Sequence, residues 1–430
     1  MNRTWWLAVQ MMKRLWFRAT LFAIMAVVTA VVGIAIGPYI PDRLSDLIGA
    51  KAVDAILTIL ASSMLAVTTF SLSTLVSATN AAANSGTPRA ISLILQDRTA
   101  QTALSTFLGA FLFSLVGLIA LNTGLYGGGG RLVLFAATLA VILLIVTMLL
   151  RWIDHLAGLG NVSETIRRAA EKATAGMVFN SAQPALGGEV LIRVPQGAVP
   201  LHHDQIGYLR HLDMGRLQRL AEELEAKIHV VQRPGEFCSP ARPVLYVEAA
   251  AGFGDEPESA RTALCRAFTI GDSRSYDQDP LFGLTVLSEI ASRALSPGIN
   301  DPGTAIDVVA QLTRLLSEAA MPSHSASTMG EDAAEPEYPR VFVRAIEPTA
   351  FVEGAFLAIS RDGAGMIEVV SAVLTALDAL TATSNPALSS AARIMAQTVY
   401  KRGMATLAFE DDRARLRDFR DAAGDGRHRA

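Results

Sequence analysis

Charge is scarce in this chain. Of 430 residues, 37 are Lys or Arg and 40 are Asp or Glu, which makes 18% charged, where an ordinary soluble domain carries about a quarter. The shortage is local: no Asp, Glu, Lys or Arg occurs in residues 19–39, 55–87, 100–130 or 132–150. Cysteine is nearly absent too, and Cys238 and Cys265 cannot supply the disulfide framework of a small secreted scaffold. No P-loop, G-x-S-x-G elbow, H-E-x-x-H pair or paired cysteine ligands appear, which removes the enzyme classes those motifs mark. With a net charge of −3, no nucleic-acid partner is expected, and no cofactor.

What is present in the charge-free stretches is apolar sequence of membrane-spanning length. A helix rising about 1.5 Å per residue needs roughly 20 apolar residues to cross about 30 Å of hydrocarbon. Four transmembrane helices are therefore expected, at about 19–39, 55–84, 101–123 and 132–150. The first is not read as a signal peptide: it is too long, Trp5, Trp6 and Trp16 precede it as interfacial anchors, and further spans follow at once. Basic residues set the orientation. Arg3, Lys13, Arg14 and Arg18, then Arg89 and Arg98, then Arg151, Arg167, Arg168 and Lys172 mark one side, whereas the other connections hold only Arg43 and Lys51, or Arg131. Both termini are expected in the cytoplasm of a bacterial inner-membrane protein, where free thiols are the default for Cys238 and Cys265.

The second span carries more hydroxyls than lipid contact requires. Thr58, Ser62, Thr69, Ser73, Ser77, Asn80 and Asn84 recur at steps of three, four or seven, which places them along one helical face. Such a face serves either helix packing or a water-lined pathway. Ser63, Thr68, Ser71 and Thr74 lie off the stripe. No embedded acid, base or histidine accompanies it, which argues against ion-coupled pumping. Four helices rarely enclose a pore alone, so the channel reading implies a homo-oligomer with Asp54 and Arg89 at its mouths. Thr87 and Pro88 suit an N-cap and first helical position, followed by a cytoplasmic helical stretch over 89–99. Gly127 to Gly130 is a permissive linker, not a phosphate loop.

The remaining chain is expected to form a mixed, mainly helical α+β cytoplasmic domain. It divides into a helical connector (151–185), a small α+β subdomain (186–250), a helical hairpin (256–320), a flexible insertion (321–338), C-terminal helices (339–410) and a charged tail (411–430). The segment 1–18 is a basic and aromatic flank. In the α+β part, β-prone runs fall at 189–194, 206–212, 228–231 and 244–247, with a helical pattern over 214–227. Their spacing resembles the small barrel of biotinyl and lipoyl domains, without a lysine at the Arg233-Pro234-Gly235 turn to carry a cofactor. Two Asp-Pro pairs, Asp279-Pro280 and Asp301-Pro302, read as helix starts for helices over 281–295 and 304–319, and helices follow over 349–361, 366–382 and 386–409. Asp272, Arg274, Asp277, Asp279, Ser296, Asn300 and Asp301 are the candidate ligand or interface residues, with caps and local ion pairs as the simpler account. His155, His324 and the His202-His203-Asp204 run lack the partners a metal or catalytic site needs.

These residues resemble a family of uncharacterised bacterial predicted membrane proteins catalogued as domain of unknown function 2254. The resemblance rests on Tyr208 with Asp213, Arg233-Pro234-Gly235, Arg274 with Asp277-Gln278-Asp279-Pro280, and Ala294-Leu295-Ser296-Pro297-Gly298-Ile299-Asn300-Asp301-Pro302 followed by Thr304-Ala305. It runs from about Arg14 to Glu410. It implies four spans and a cytoplasmic domain, and it supplies no reaction, ligand or catalytic residue. Gly303 departs from the pattern, where a bulkier residue is expected. Three function classes follow: an oligomeric pore or solute-permeation protein, a membrane-anchored cytoplasmic sensor or scaffold, and, last, an enzyme. The lipid bilayer and further copies of the chain are the expected partners, with any small-molecule or ion ligand unidentified.

Overall fold

The computed structural model describes residues 15–36, 50–85, 87–90, 97–123, 128–156, 158, 161–249, 258–320 and 335–425. It divides into two compact units: Leu7–Asn84 with Pro88–Thr165, and Ser85–Thr87 with Ile166–Ala430 and a short N-terminal piece outside the described residues.

The first unit is helical: α1 (Leu15–Ile36), α2 (Ala50–Ser85), α3 (Arg98–Asn122) and α4 (Gly128–Leu156). Among the described residues, three helices are long and apolar enough to cross a membrane: Ala52–Ala81, Thr99–Asn122 and Gly129–Leu156. The sequence led to four. α1 occupies the first expected stretch but is not among the three, and residues 37–39 lie outside the described residues. α3 is central: 56% of its most apolar window is buried, against 17% for α2. Phe107, Ala103 and Leu104 of α3 meet Met64 and Leu75 of α2 and Trp152 of α4, while Phe113 joins Val53, Leu57 and Leu134 in a second cluster. Gly117 permits this approach, since a Cβ there would lie 3.2 Å from Leu57 Cδ1.

Pro88–Ala90 forms a 3₁₀ turn, and residues 91–96 of the expected cytoplasmic helix lie outside the described residues. Asp97 caps α3, its carboxylate accepting from the Ala100 N–H at 2.7 Å. Thr87 donates its hydroxyl to Glu289 at 2.9 Å, a bond within the second unit.

α5 (Val162–Ala182), in the second unit from Ile166 onward, leads to two sheets. The larger has the order β1 (Gly188–Val190), β8 (Tyr338–Val343), β4 (Ala226–Val230), β6 (Pro243–Ala249), β2 (Val199–His202); the smaller runs β5 (Phe237–Cys238), β3 (Gly207–Leu212), β7 (Phe268–Gly271). α6 (Met214–Glu223), capped by Asp213, and α7 (Glu258–Cys265) complete this layer. Ile228, Val230, Leu245, Val247, Val341 and Val343 form its fully buried centre. The lipoyl-type barrel is corrected here. β8 inserts between β1 and β4, parallel to both, which makes a mixed sheet, and residues 338–343 are strand where C-terminal helices were expected to begin. Gly188 is required at that junction, because a Cβ would sit 2.3 Å from the Val341 carbonyl oxygen.

The helical layer comprises α8 (Pro280–Ala294), α9 (Pro302–Ala320), α10 (Pro348–Asp362), α11 (Ile367–Thr381), α12 (Pro386–Thr406) and α13 (Glu410–Asp425). Residues 321–334, most of the expected flexible insertion, lie outside the described residues. α8 presses against α5 through small residues: a Cβ on Gly283 would fall 2.5 Å from Ala173 Cβ, and one on Gly176 would fall 3.2 Å from Pro280 Cα. Backbones that close leave no room for a larger side chain.

Candidate functional site

Two places in the molecule are candidate sites: the polar face of α2 and a cavity in the second unit.

On α2 the buried residues are Val53, Leu57, Ala61, Met64, Ser71, Leu75 and Ala78, whereas Thr58, Ser62, Thr69, Ser73, Ser77 and Asn80 are all exposed. Thr69 follows Met64 by five residues, which turns it roughly 140° around the helix, and Ser73 follows Ser71 by roughly 200°. The stripe therefore points away from the helices of its own chain. Packing within the protomer, one of the two uses open for this face, does not employ it. Exposed apolar residues border it on both sides: Ile59 and Phe70, 65% and 67% exposed, on one flank, and Leu65, Leu72 and Val76 on the other. The hydroxyl protons turn inward along the helix. Ser62 donates to the Thr58 carbonyl at 3.0 Å and Thr69 to the Ala66 carbonyl at 2.9 Å, a bond that removes the donor and leaves the oxygen lone pairs outward. Off the stripe, Ser71 is buried, and Ser63, Thr68 and Thr74 are half-buried. Asp54 is half-buried near the start of the helix, and Arg89 is exposed.

At one end of the first unit, His155 of α4 lies 3.0 Å from the Asp97 carboxylate, with the Trp152 ring 5.9 Å from its own. This pairing joins α4 to the start of α3.

The cavity, about 380 Å³, lies under the Arg233-Pro234-Gly235 turn. Gly235 adopts φ +97°, the left-handed region that suits glycine, and its N–H bonds the Leu209 carbonyl at 2.8 Å. A Cβ at that position would fall 2.2 Å from Asp279 Oδ2. Asp279 cannot give way: Arg274 holds it with two parallel bonds of 2.7 and 3.0 Å, and the Phe282 N–H bonds Oδ1 at 3.2 Å. Asp279 thus caps α8 while paired to Arg274, whose guanidinium lies 5.0 Å from the Phe282 ring centre. Burial pushes the Asp279 carboxyl above its ordinary range, against the opposing pull of Arg274.

Arg233 is buried and donates from Nη1 to the carbonyls of Pro184, at 2.8 Å, and Arg344, while Nη2 has no hydrogen-bond partner. Burial lowers its pKa to about 10, a loss that Glu236 and Asp279 only partly restore. Arg344 pairs with Glu236 at the rim.

The other candidates scatter. Gln278, not itself a candidate, lies among them and bonds both the N–H (2.8 Å) and the carbonyl (3.3 Å) of Leu212 through its side-chain amide. Asp272 is an exposed loop residue, and Asp277 is half-buried. Ser296 donates to the Arg293 carbonyl at 2.6 Å, and Asp301 accepts from the Thr304 N–H and hydroxyl at 3.1 and 2.6 Å, so both close the hairpin. Asn300 takes the left-handed conformation, φ +53°, and with Ser296 lines an open cavity of about 730 Å³ that also contains Asp362. Of the seven, Arg274 and Asp279 meet in the cavity under the turn. Sequence reasoning missed Arg344 and Glu236 there, and no local pattern marks either. Among the described residues, no cluster of His, Cys, Asp and Glu is arranged to hold a metal.

A family model described as "Predicted membrane protein (DUF2254)" matches residues 12–379. Uncharacterized proteins of Mycobacterium tuberculosis (strain ATCC 25618 / H37Rv) and Mycobacterium bovis are each 28% identical over 240 residues, covering 54% of this chain and 46% of their own length. The matched stretch thus spans less than half of those relatives. No solved structure matches.

Proposed function

We propose, from the premise that this chain belongs to the family of predicted membrane proteins whose model spans residues 12–379, that it assembles into a homo-oligomeric, cation-permeable pore. The second helix of each copy faces a common axis. The observation that carries this reading is the direction of the α2 stripe, outward from its own bundle and edged by exposed apolar residues. Hydroxyls in hydrocarbon gain nothing from lipid. Around a shared axis, the apolar edges seal copy against copy and the hydroxyl oxygens line water.

With their protons given to the helix backbone, Ser62 and Thr69 offer acceptors to a passing ion, which favours cations. Asp54 near one end of α2 adds to that preference. Counting α1 as a further span gives four per copy and returns the chain to the side on which it entered, with both termini cytoplasmic in the bacterial inner membrane. The second unit then acts from the cytoplasm as gate or assembly module.

The test is the reversal potential of the purified full chain in planar bilayers under a potassium chloride gradient. The expected value lies toward the potassium equilibrium potential. A potential at the chloride value, or a particle that stays silent across voltages, contradicts the reading.

A further inference from the structure

The cavity under the Arg233-Pro234-Gly235 turn is not used by the pore reading, and its chemistry is specific. Three guanidinium groups, from Arg233, Arg274 and Arg344, share it with the first turn of α10. That helix has 15 residues, and the side chain of its N-cap residue, Glu347, makes no capping bond. A helix N-terminus without a side-chain cap carries partial positive charge and is a ready anion seat. The second observation is independent of it: buried Arg233 retains an N–H group without a partner.

The three guanidiniums are equalled in number by the carboxylates of Asp279, Glu236 and Glu347, which are not equally placed. Arg274 is matched by Asp279 and Arg344 by Glu236. Arg233 remains, a desolvated cation short of counter-charge, while the Glu347 carboxylate at the mouth is exposed. A buried charge acts through a lower effective dielectric than an exposed one, so Arg233 outweighs Glu347 inside the cavity. Arg344 is 54% exposed and free to turn from Glu236 to a ligand oxygen. The remaining wall is apolar, from Pro234, Leu281 and Ile346, and the volume falls in the roughly 300–1,000 Å³ range of small-molecule sites.

We infer that this cavity binds a small phosphomonoester, its phosphate at Arg344 and the α10 N-terminus beside the unpartnered Nη2 of Arg233, and its less polar body against Pro234, Leu281 and Ile346. Arginine forks match phosphate oxygens in pairs. The same group occurs on soluble nucleotides and on the headgroup of phosphatidic acid, and the experiment separates them.

The full chain in detergent is titrated calorimetrically with adenosine 5′-monophosphate, with short-chain dihexanoyl phosphatidic acid, and with adenosine as the phosphate-free control. Saturable binding of either phosphomonoester without binding of adenosine is expected; the one that binds identifies the source. Arg344→Ala removes an exposed side chain and should weaken binding by about tenfold or more, the equivalent of one lost charge-assisted hydrogen bond. Ala350→Phe, which fills the cavity from α10, should do the same with Arg344 intact. The inference is overturned if neither phosphomonoester binds at millimolar concentration, if adenosine binds equally well, or if both variants bind as the parent does.

Discussion

Replacing Ser62, Thr69 and Ser73 together by leucine is expected to abolish cation flux while leaving the protomer folded. All three side chains are exposed and turned away from α3 and α4, so the substitutions create neither a cavity nor a clash within the chain. Two of the three hydroxyls bond only their own helix among the bonds seen, Ser62 at 3.0 Å and Thr69 at 2.9 Å, and losing such back-bonds costs a helix little. Leucine at these places fills the axis with hydrocarbon. A constriction that dewets stops ions outright, so flux per oligomer should fall by about two orders of magnitude or more, since each 1.4 kcal/mol added to the barrier is a factor of ten. Flux and oligomeric mass are read on the same preparation. An oligomer that forms normally and conducts as before removes the stripe from the pathway.

Asp279→Ala is expected to destabilise the second unit by about 1–3 kcal/mol, because it leaves half-buried Arg274 without its carboxylate, with about 1 kcal/mol more from the lost cap of α8. Thermal unfolding of the purified chain checks this. A shift no larger than that of an exposed substitution such as Asp272→Ala would show that the pair is not buried as described. Asp279 also sets a direction with pH. Its carboxyl titrates above the ordinary range in the folded state, so its contribution is complete below the unfolded pKa and is lost as pH rises through the folded one. Asp279→Asn keeps a capping side chain without the titration, and its stability should fall less than the parent's across that acid window.

The helices of the first unit were legible because hydrocarbon forbids charge, and a run such as residues 132–150 shows that locally. The stripe on α2 was legible for the same reason: steps of three, four and seven define a face without any tertiary knowledge. Its direction was not, because that depends on which residues of α3 and α4 lie opposite Leu57 and Met64. The sheet was read poorly for a physical reason. β8 pairs Tyr338 with Gly188 across most of the second unit, and a parallel partner so distant leaves no turn signal between the strands. The cavity was half visible. Arg233-Pro234-Gly235 and Arg274 with Asp279 stood out separately, but only the fold shows that Gly235 lacks a side chain because Asp279 occupies that space. Ser296, Asn300 and Asp301 stood out equally and turn out to close a hairpin.

The account turns on whether the outward face of α2 meets water. The direct measurement compares Thr69→Cys with Phe70→Cys, each in a chain whose Cys238 and Cys265 are alanine, reacted in intact membrane vesicles with a membrane-impermeant methanethiosulfonate reagent. The two positions are neighbours at the same depth, one on the hydroxyl stripe and the other on its apolar flank, 67% exposed in the protomer. Rapid modification at position 69 with protection at position 70 is the predicted result. Equal protection at both would place the stripe in a dry contact or in lipid, and would contradict a water-lined axis.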